Sequence, residues 1–245
     1  MFDNIGQVFI NTTNLFYEDK PHFFENLLVN ESYKSLVSWQ DVEDCLNNPH
    51  FYNFEMIDQH NNKIDIPMSE KAWEFGGKLI QDKQYLFNRF NNGSTLIIMN
   101  YGFHNKPISE LLNNLEQMFD IHAAAHVYCG MQDTKSFTIH DDYPANFIFQ
   151  VEGETEWTLF KNRISYLYKS GLMNGKLKEE DLEVELKVNL KPGDALYIPS
   201  RAYHCAKPKG ERISVSVPCW NKLATDRPNT SVDRNTYHIH RRNNV

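Results

Sequence analysis

Three residues, His140, Asp142 and His204, have the types and spacing to do chemistry. Two imidazoles and one carboxylate make up the donor set of the facial triad, which holds a divalent metal such as Fe(II) and leaves coordination positions open. His140 and Asp142 lie in the run Ser136-Phe137-Thr138-Ile139-His140-Asp141-Asp142, which reads as a strand. Side chains on a strand alternate faces, so His140 and Asp142 project together and Asp141 points the other way. His204 comes from far downstream, after Leu196-Tyr197-Ile198-Pro199. With 10 histidines and 32 acidic residues, one His-x-Asp is expected by chance. The surroundings make this one informative. It is followed by the turn Tyr143-Pro144-Ala145, then by an alternating run from Asn146 to Trp157. A Pro-Gly-Asp turn, Pro192-Gly193-Asp194, precedes the strand that leads to His204.

The elements that must position these residues are mostly strands. Beyond residue 120 the candidates are Ala123 to Gly130, Ser136 to Asp142, Asn146 to Val151, Glu154 to Phe160, Leu182 to Leu190, Ala195 to Pro199 and Arg212 to Cys219. Glu152-Gly153 and Lys191 to Asp194 supply tight connections. Closely spaced short strands of this kind predict an antiparallel sandwich or barrel, a jelly roll in particular. The first part of the chain is mixed. Lys20 to Leu28 reads as a short helix, and Ser38 caps another, with Asp41 in the capping-box position. Phe51 to Ile57 and Lys63 to Ile66 read as strands. Ser69 to Phe90 has helical periodicity broken at Gly76-Gly77. Thr95 to Met99 is a β run, and Pro107 opens a helix from Ile108 to Phe119. The expected organisation is an N-terminal extension of helices and strands over 1–93, a jelly-roll core over 94–222 and a polar tail over 223–245.

Composition narrows the class. The chain has 245 residues, 41% of them hydrophobic, with 16 Phe, 12 Tyr and 4 Trp, which argues for a packed core and against disorder. A net charge of -7 gives no bulk attraction to nucleic acid or anionic membrane. No apolar run is long enough to span a bilayer, and the N-terminus lacks a signal-peptide pattern. Four scattered cysteines without a CxxC pair read as reduced thiols. The expectation is a cytoplasmic protein.

On these motifs the chain resembles the JmjC-type, cupin-like 2-oxoglutarate oxygenases, the ribosomal oxygenases in particular. The likeness covers the His140–Asp142 strand, Phe147-Ile148-Phe149-Gln150-Val151-Glu152-Gly153 with Trp157, Pro192 through His204, and Val215-Ser216-Val217-Pro218-Cys219-Trp220. It implies a double-stranded β-helix in which His140, Asp142 and His204 bind Fe(II). It also implies that 2-oxoglutarate chelates the metal and is decarboxylated with O2, and that a substrate carbon is hydroxylated. The substrate would be a protein side chain or a small molecule, and the oligomeric state is unspecified. Two competing readings are a metal cupin that does not use 2-oxoglutarate and a non-catalytic binding module.

Three departures from the family matter. Where the family has a Lys or Arg gripping the distal carboxylate of 2-oxoglutarate, this chain has Thr155. The position of a family Asn is His126, while Tyr128 matches the family's cosubstrate-contacting tyrosine. The ribosomal oxygenases carry further domains after the jelly roll, whereas only a short tail follows Trp220 here. The expected replacement anchor is Arg212, which shares the parity of Ser214 and Ser216, or else a protonated His126 helped by Tyr128 and Thr155. Asn146 and Gln150 are expected beside the ligands. The segment from Lys161 to Asp181 is expected to cover the site mouth or to form a plain surface crossover. A second metal at His122 and His126 is not expected, because that segment reads as a loop entering a strand.

Overall fold

Alternation along the strands sorts side chains into an outer and an inner set, and the fold follows from burying both. The computed structural model describes residues 19–28, 32–49, 51–58, 60, 62–70, 79–103, 105–133, 138–163 and 178–221. Its elements in chain order are β1 (His22–Phe24), α1 (Trp39–Asn47), β2 (Asn53–Ile57), β3 (Lys63–Ile64), β4 (Met68–Glu70), β5 (Leu79–Gln81), α2 (Lys83–Asn91), β6 (Thr95–Met99), α3 (Lys106–Phe119), β7 (Ile121–Ala123), β8 (His126–Gly130), β9 (His140–Asp141), β10 (Ala145–Arg163), β11 (Val184–Leu190), β12 (Ala195–Ile198) and β13 (Ala202–Asn221). Among the described residues, β4 and β5 pair only with each other, and the other strands join one antiparallel sheet in the order β1-β12-β10-β13-β8-β6-β2-β3, with β11 on β10 and β7 and β9 on β13.

Two long strands organise this sheet. The first part of β10 lies between β12 and the end of β13. Its second part lies between β11 and the start of β13. The pair therefore runs through both walls of a jelly roll, a double-stranded β-helix. Between the two parts the register shifts at Gln150/Glu152 and Glu152/Glu154. Gly153 sits there at φ 66, and a Cβ on it would lie 2.0 Å from the carbonyl oxygen of Glu211, so only glycine fits. This bulge flips the parity of β10. Asn146, Ile148 and Gln150 face inward before it, and Thr155, Trp157 and Leu159 face inward after it.

The outward set makes the main core. Phe147, Phe149, Val151, Val127, Val215 and Val217 pack against Val42 and Leu46 of α1, Leu86 and Phe90 of α2, and Ile108, Leu111 and Leu115 of α3. Fully burying each such side chain is worth about 1.5–3 kcal/mol. α1 carries the expected capping box, with Asp41 N–H donating to Ser38 Oγ at 3.3 Å and Ser38 N–H to Asp41 Oδ2 at 2.8 Å. Inside the roll a smaller apolar cluster, Ile148, Leu159, Leu190, Leu196, Ile198 and Ala202, fills one end.

Several elements differ from the sequence expectation. The segment Lys20 to Leu28 holds strand β1 instead of a helix. Phe24 belongs to the outer core and Phe23 packs on the inner cluster, so a two-faced strand serves both and a one-faced helix cannot. Within Ser69 to Phe90, only Lys83–Asn91 is helical among the described residues, and β4 and β5 form a hairpin-like pair. The strands expected at Asn146–Val151 and Glu154–Phe160 are one strand, since Gly153 makes a bulge and not a turn. Arg212 to Cys219 extends backwards to Ala202, so it carries His204 itself. Residues 134–137, 164–177 and 222–245 lie outside the described residues, so most of the expected mouth-covering insert and the polar tail do too.

Candidate metal centre

Strand β9 supplies His140, its immediate continuation supplies Asp142, and β13 supplies His204. His140 and His204 are cross-strand partners, so their side chains share a face. Their ring centroids are 4.3 Å apart. Ligand atoms of His140, Asp142 and His204 all lie within 4.8 Å of one another, with His204 Nε2 3.7 Å from Asp142 Oδ2. The expected convergence of these three residues is what the structure contains.

Each imidazole is already oriented. Nδ1 of His140 lies 2.8 Å from the carbonyl oxygen of Thr138, and Nδ1 of His204 lies 2.8 Å from that of Ala202. A carbonyl can only accept, so both Nδ1 atoms carry the proton, and Nε2 is the nitrogen left on each ring to ligate a metal. Burial first, and the neighbouring His140 second, push the His204 pKa down to about 4, against the opposing pull of Asp142. The ring is thus neutral, the form that ligates. Asn146 donates from Nδ2 to Asp142 Oδ2 at 2.9 Å and accepts from Ser216 Oγ at 3.3 Å. It fixes the carboxylate from the inner face. Trp157 lies against His204, with ring centroids 5.9 Å apart.

Further along the inner face, Tyr128 pairs with Ser214, Arg212 with Gly130 and His126 with Ser216. The Tyr128 phenol is raised by burial and then by the Asp142 carboxylate, so it stays a proton donor. Arg212 is 2% exposed and donates from Nη2 to Thr95 Oγ1 at 2.9 Å. Burial lowers its pKa to about 10, which still leaves it a cation at neutral pH. A Cβ on Gly130 would meet Arg212 Nη1 at 2.5 Å, so that glycine makes room for the guanidinium. Thr155 is 2% exposed, and its Oγ1 is buried without a hydrogen-bond partner among the described residues. Gln150 accepts from Ser214 Oγ at 2.9 Å. Asn100 N–H donates to His126 Nδ1 at 3.0 Å. A nitrogen that accepts carries no proton, so His126 is the neutral tautomer and the protonated His126 expected as an anchor is not what the structure has.

Two groups escaped the sequence reading. Asp141 and Arg201, each 1% exposed, form an ion pair of 3.2 Å behind the ligand strand. The signals were an acid whose parity turned it away from the site and an arginine in a turn. Arg201 adopts φ 65. That left-handed conformation costs an L residue about 1–2 kcal/mol.

Comparison with known proteins gives the family and the fold. The model of the JmjC domain matches residues 99–226, more than half of the chain and all three ligand candidates. The chain belongs to the JmjC domain family. Similar proteins include the bifunctional lysine-specific demethylase and histidyl-hydroxylase NO66 of Culex quinquefasciatus, 22% identical over 212 residues, covering 84% of this chain and 32% of that protein. Ribosomal oxygenase 1 of Gallus gallus is 26% identical over 171 residues, covering 69% of this chain and 26% of that one. The chain thus spans about a third or less of these relatives. Among solved structures, Escherichia coli ycfD superposes with a TM-score of 0.59 at 11% identity, over 96% of this chain and 65% of that one. The ribosomal oxygenase YcfD in complex with cobalt and 2-oxoglutarate gives 0.57 at 14% identity, over 96% and 56%. These likenesses carry the JmjC fold. No helix among the described residues is long and apolar enough to cross a membrane.

Proposed function

We propose that this chain is an Fe(II)- and 2-oxoglutarate-dependent oxygenase that hydroxylates a protein side chain and releases succinate and CO2. The observation that carries the reading is the pair of imidazoles tied by Nδ1 to backbone carbonyls, with the His204 Nε2 beside the Asp142 carboxylate. His140, Asp142 and His204 would hold the iron, and bound iron with 2-oxoglutarate supplies activation of O2 for insertion into a C–H bond. The donor set fits the ion, and the orphaned Thr155 hydroxyl beside a polar inner wall fits a buried oxygen-rich cosubstrate.

The chain's own residues divide the remaining work. Arg212 would grip the far carboxylate of 2-oxoglutarate, with Thr155 and the Tyr128 hydroxyl donating to it. Neutral His126 would offer Nε2–H to the same ligand. Asn146 holds the Asp142 carboxylate in place. Trp157, Ile148 and Leu159 keep water from that end of the roll. A protein substrate is favoured by the names of the relatives, a histidyl-hydroxylase and ribosomal oxygenases.

Purified protein given Fe(II), ascorbate and labelled 2-oxoglutarate should form succinate, and Arg212→Met should raise the 2-oxoglutarate KM. Metal binding with no succinate from any candidate substrate would sink the reading. The neutral Thr155 favours a second one, a metal cupin that does not use 2-oxoglutarate, which the same assay separates.

A further inference from the structure

Asp141 stands between two of the ligand candidates yet faces the opposite way, as the cross-strand partner of Tyr203. Arg201 Nη1 meets its carboxylate at 3.2 Å. The Arg201 backbone N–H donates to the Asp142 carbonyl at 2.8 Å, and its guanidinium carbon lies 5.6 Å from the centre of the Tyr143 ring. Next to it, Ser200 Oγ donates to the Tyr143 carbonyl at 2.5 Å. Residues 141, 142 and 143 are therefore each held by the one turn that leads into His204.

Two features show that the arginine side chain matters at this place. The other non-glycine residues at positive φ among the described residues are Asp19, Asn26, Asn100 and Asp120, types that tolerate the left-handed region. Arg201 does not belong to that set, and glycine would adopt φ 65 without strain. Meanwhile β9 is two residues long, so few ladder bonds fix its register against β13. A one-residue slip would turn His140 out of the site. Buried ion pairs add little stability over apolar pairs of the same volume, and setting register is their best-attested use.

We infer that Asp141 and Arg201 form a positioning pair that sets the spacing between Asp142 and His204. The inference rests on the reading of His140, Asp142 and His204 as metal ligands. Arg201→Gly keeps the backbone N–H, relieves the strained φ and removes the whole buried side chain, guanidinium included, which is why metal-free melting is measured beside binding. Asp141→Asn keeps the shape and removes the charge.

The test is Co(II) titration of the full chain against a competing chelator, with the ligand-field absorption spectrum recorded and metal-free melting measured alongside. Each single variant should bind Co(II) about tenfold more weakly with an altered spectrum, in the range for loss of an outer-shell partner. The double variant should be no weaker than the worse single, because both break one link. Arg201→Lys keeps the charge but not the guanidinium over Tyr143, so its Co(II) affinity should fall between those of wild type and Arg201→Gly. Wild-type affinity and spectrum in both single variants, whatever their melting temperatures, overturn the inference alone. So does a double variant that multiplies the two single effects. Should a single variant not fold, Asp141→Glu shifts the pair by one methylene. It should weaken Co(II) about threefold with a changed spectrum, and wild-type values there also overturn the inference. A wild-type chain that binds no Co(II) overturns the metal reading itself, and this inference with it.

Discussion

The first part of β10 turns Phe147, Phe149 and Val151 toward the helices, while the same stretch turns Asn146, Ile148 and Gln150 into the roll. The outer residues are apolar and packed on both sides. Most of the inner ones are polar and hydrogen-bonded to other inner side chains. One strand thus serves two masters, and its stability comes mainly from the outer, apolar face. The contrast recurs on β13, with Val215 and Val217 outside and Ser214 and Ser216 inside. Stability and function should therefore respond to different substitutions on neighbouring residues.

The largest separation is expected from His204→Ala. It should reduce metal affinity by more than the roughly 100-fold that outer-shell changes reach, read by Co(II) titration, with a smaller loss of metal-free stability than Phe147→Ala causes. Phe147→Ala, on the other face, should lower unfolding free energy by about 3–5 kcal/mol in a denaturant titration while the folded fraction binds Co(II) normally. If Phe147→Ala abolished binding in folded protein, the two faces would not be separable. Asn146→Ala should weaken metal binding about 10–100-fold by loosening Asp142. Arg212→Met should raise the 2-oxoglutarate KM by about tenfold or more, the worth of hydrogen bonds to a charged group, with Co(II) affinity unmoved. The smallest effect belongs to Thr155→Val. Removing an unsatisfied buried hydroxyl should leave melting unchanged or raise stability by about 1 kcal/mol, while the 2-oxoglutarate KM rises a few-fold. A Thr155→Val protein that is less stable would place that hydroxyl in the structural set.

Much of the inner face was legible from residue order. Parity alone put His140 with Asp142, turned Asp141 away and grouped Arg212 with Ser214 and Ser216, because a strand's period of two leaves no freedom once one residue is placed. Parity across Gly153 was not legible. Glu152-Gly153 has the composition of a turn, and only the close approach of the Glu211 backbone shows that it is a bulge. The helix expected at Lys20 to Leu28 failed for a related reason, since pairing with β12 and the two-sided use of Phe23 and Phe24 override local propensity. The Asp141–Arg201 pair and the Asn100–His126 hydrogen bond are tertiary facts. No spacing along the chain announces either one.

The pairing of β10 with β13 has a temporal consequence. Ala145 lies opposite Cys219 and Leu159 opposite His204, so the spine joins stretches that are synthesised far apart. Ring closure over such separations is slow and comes late in folding. His140 and Asp142 must then wait, without their third companion, until the last long strand has been made. A nascent chain halted before Ala202 should leave the ribosome tunnel unable to retain cobalt, however complete its helices are.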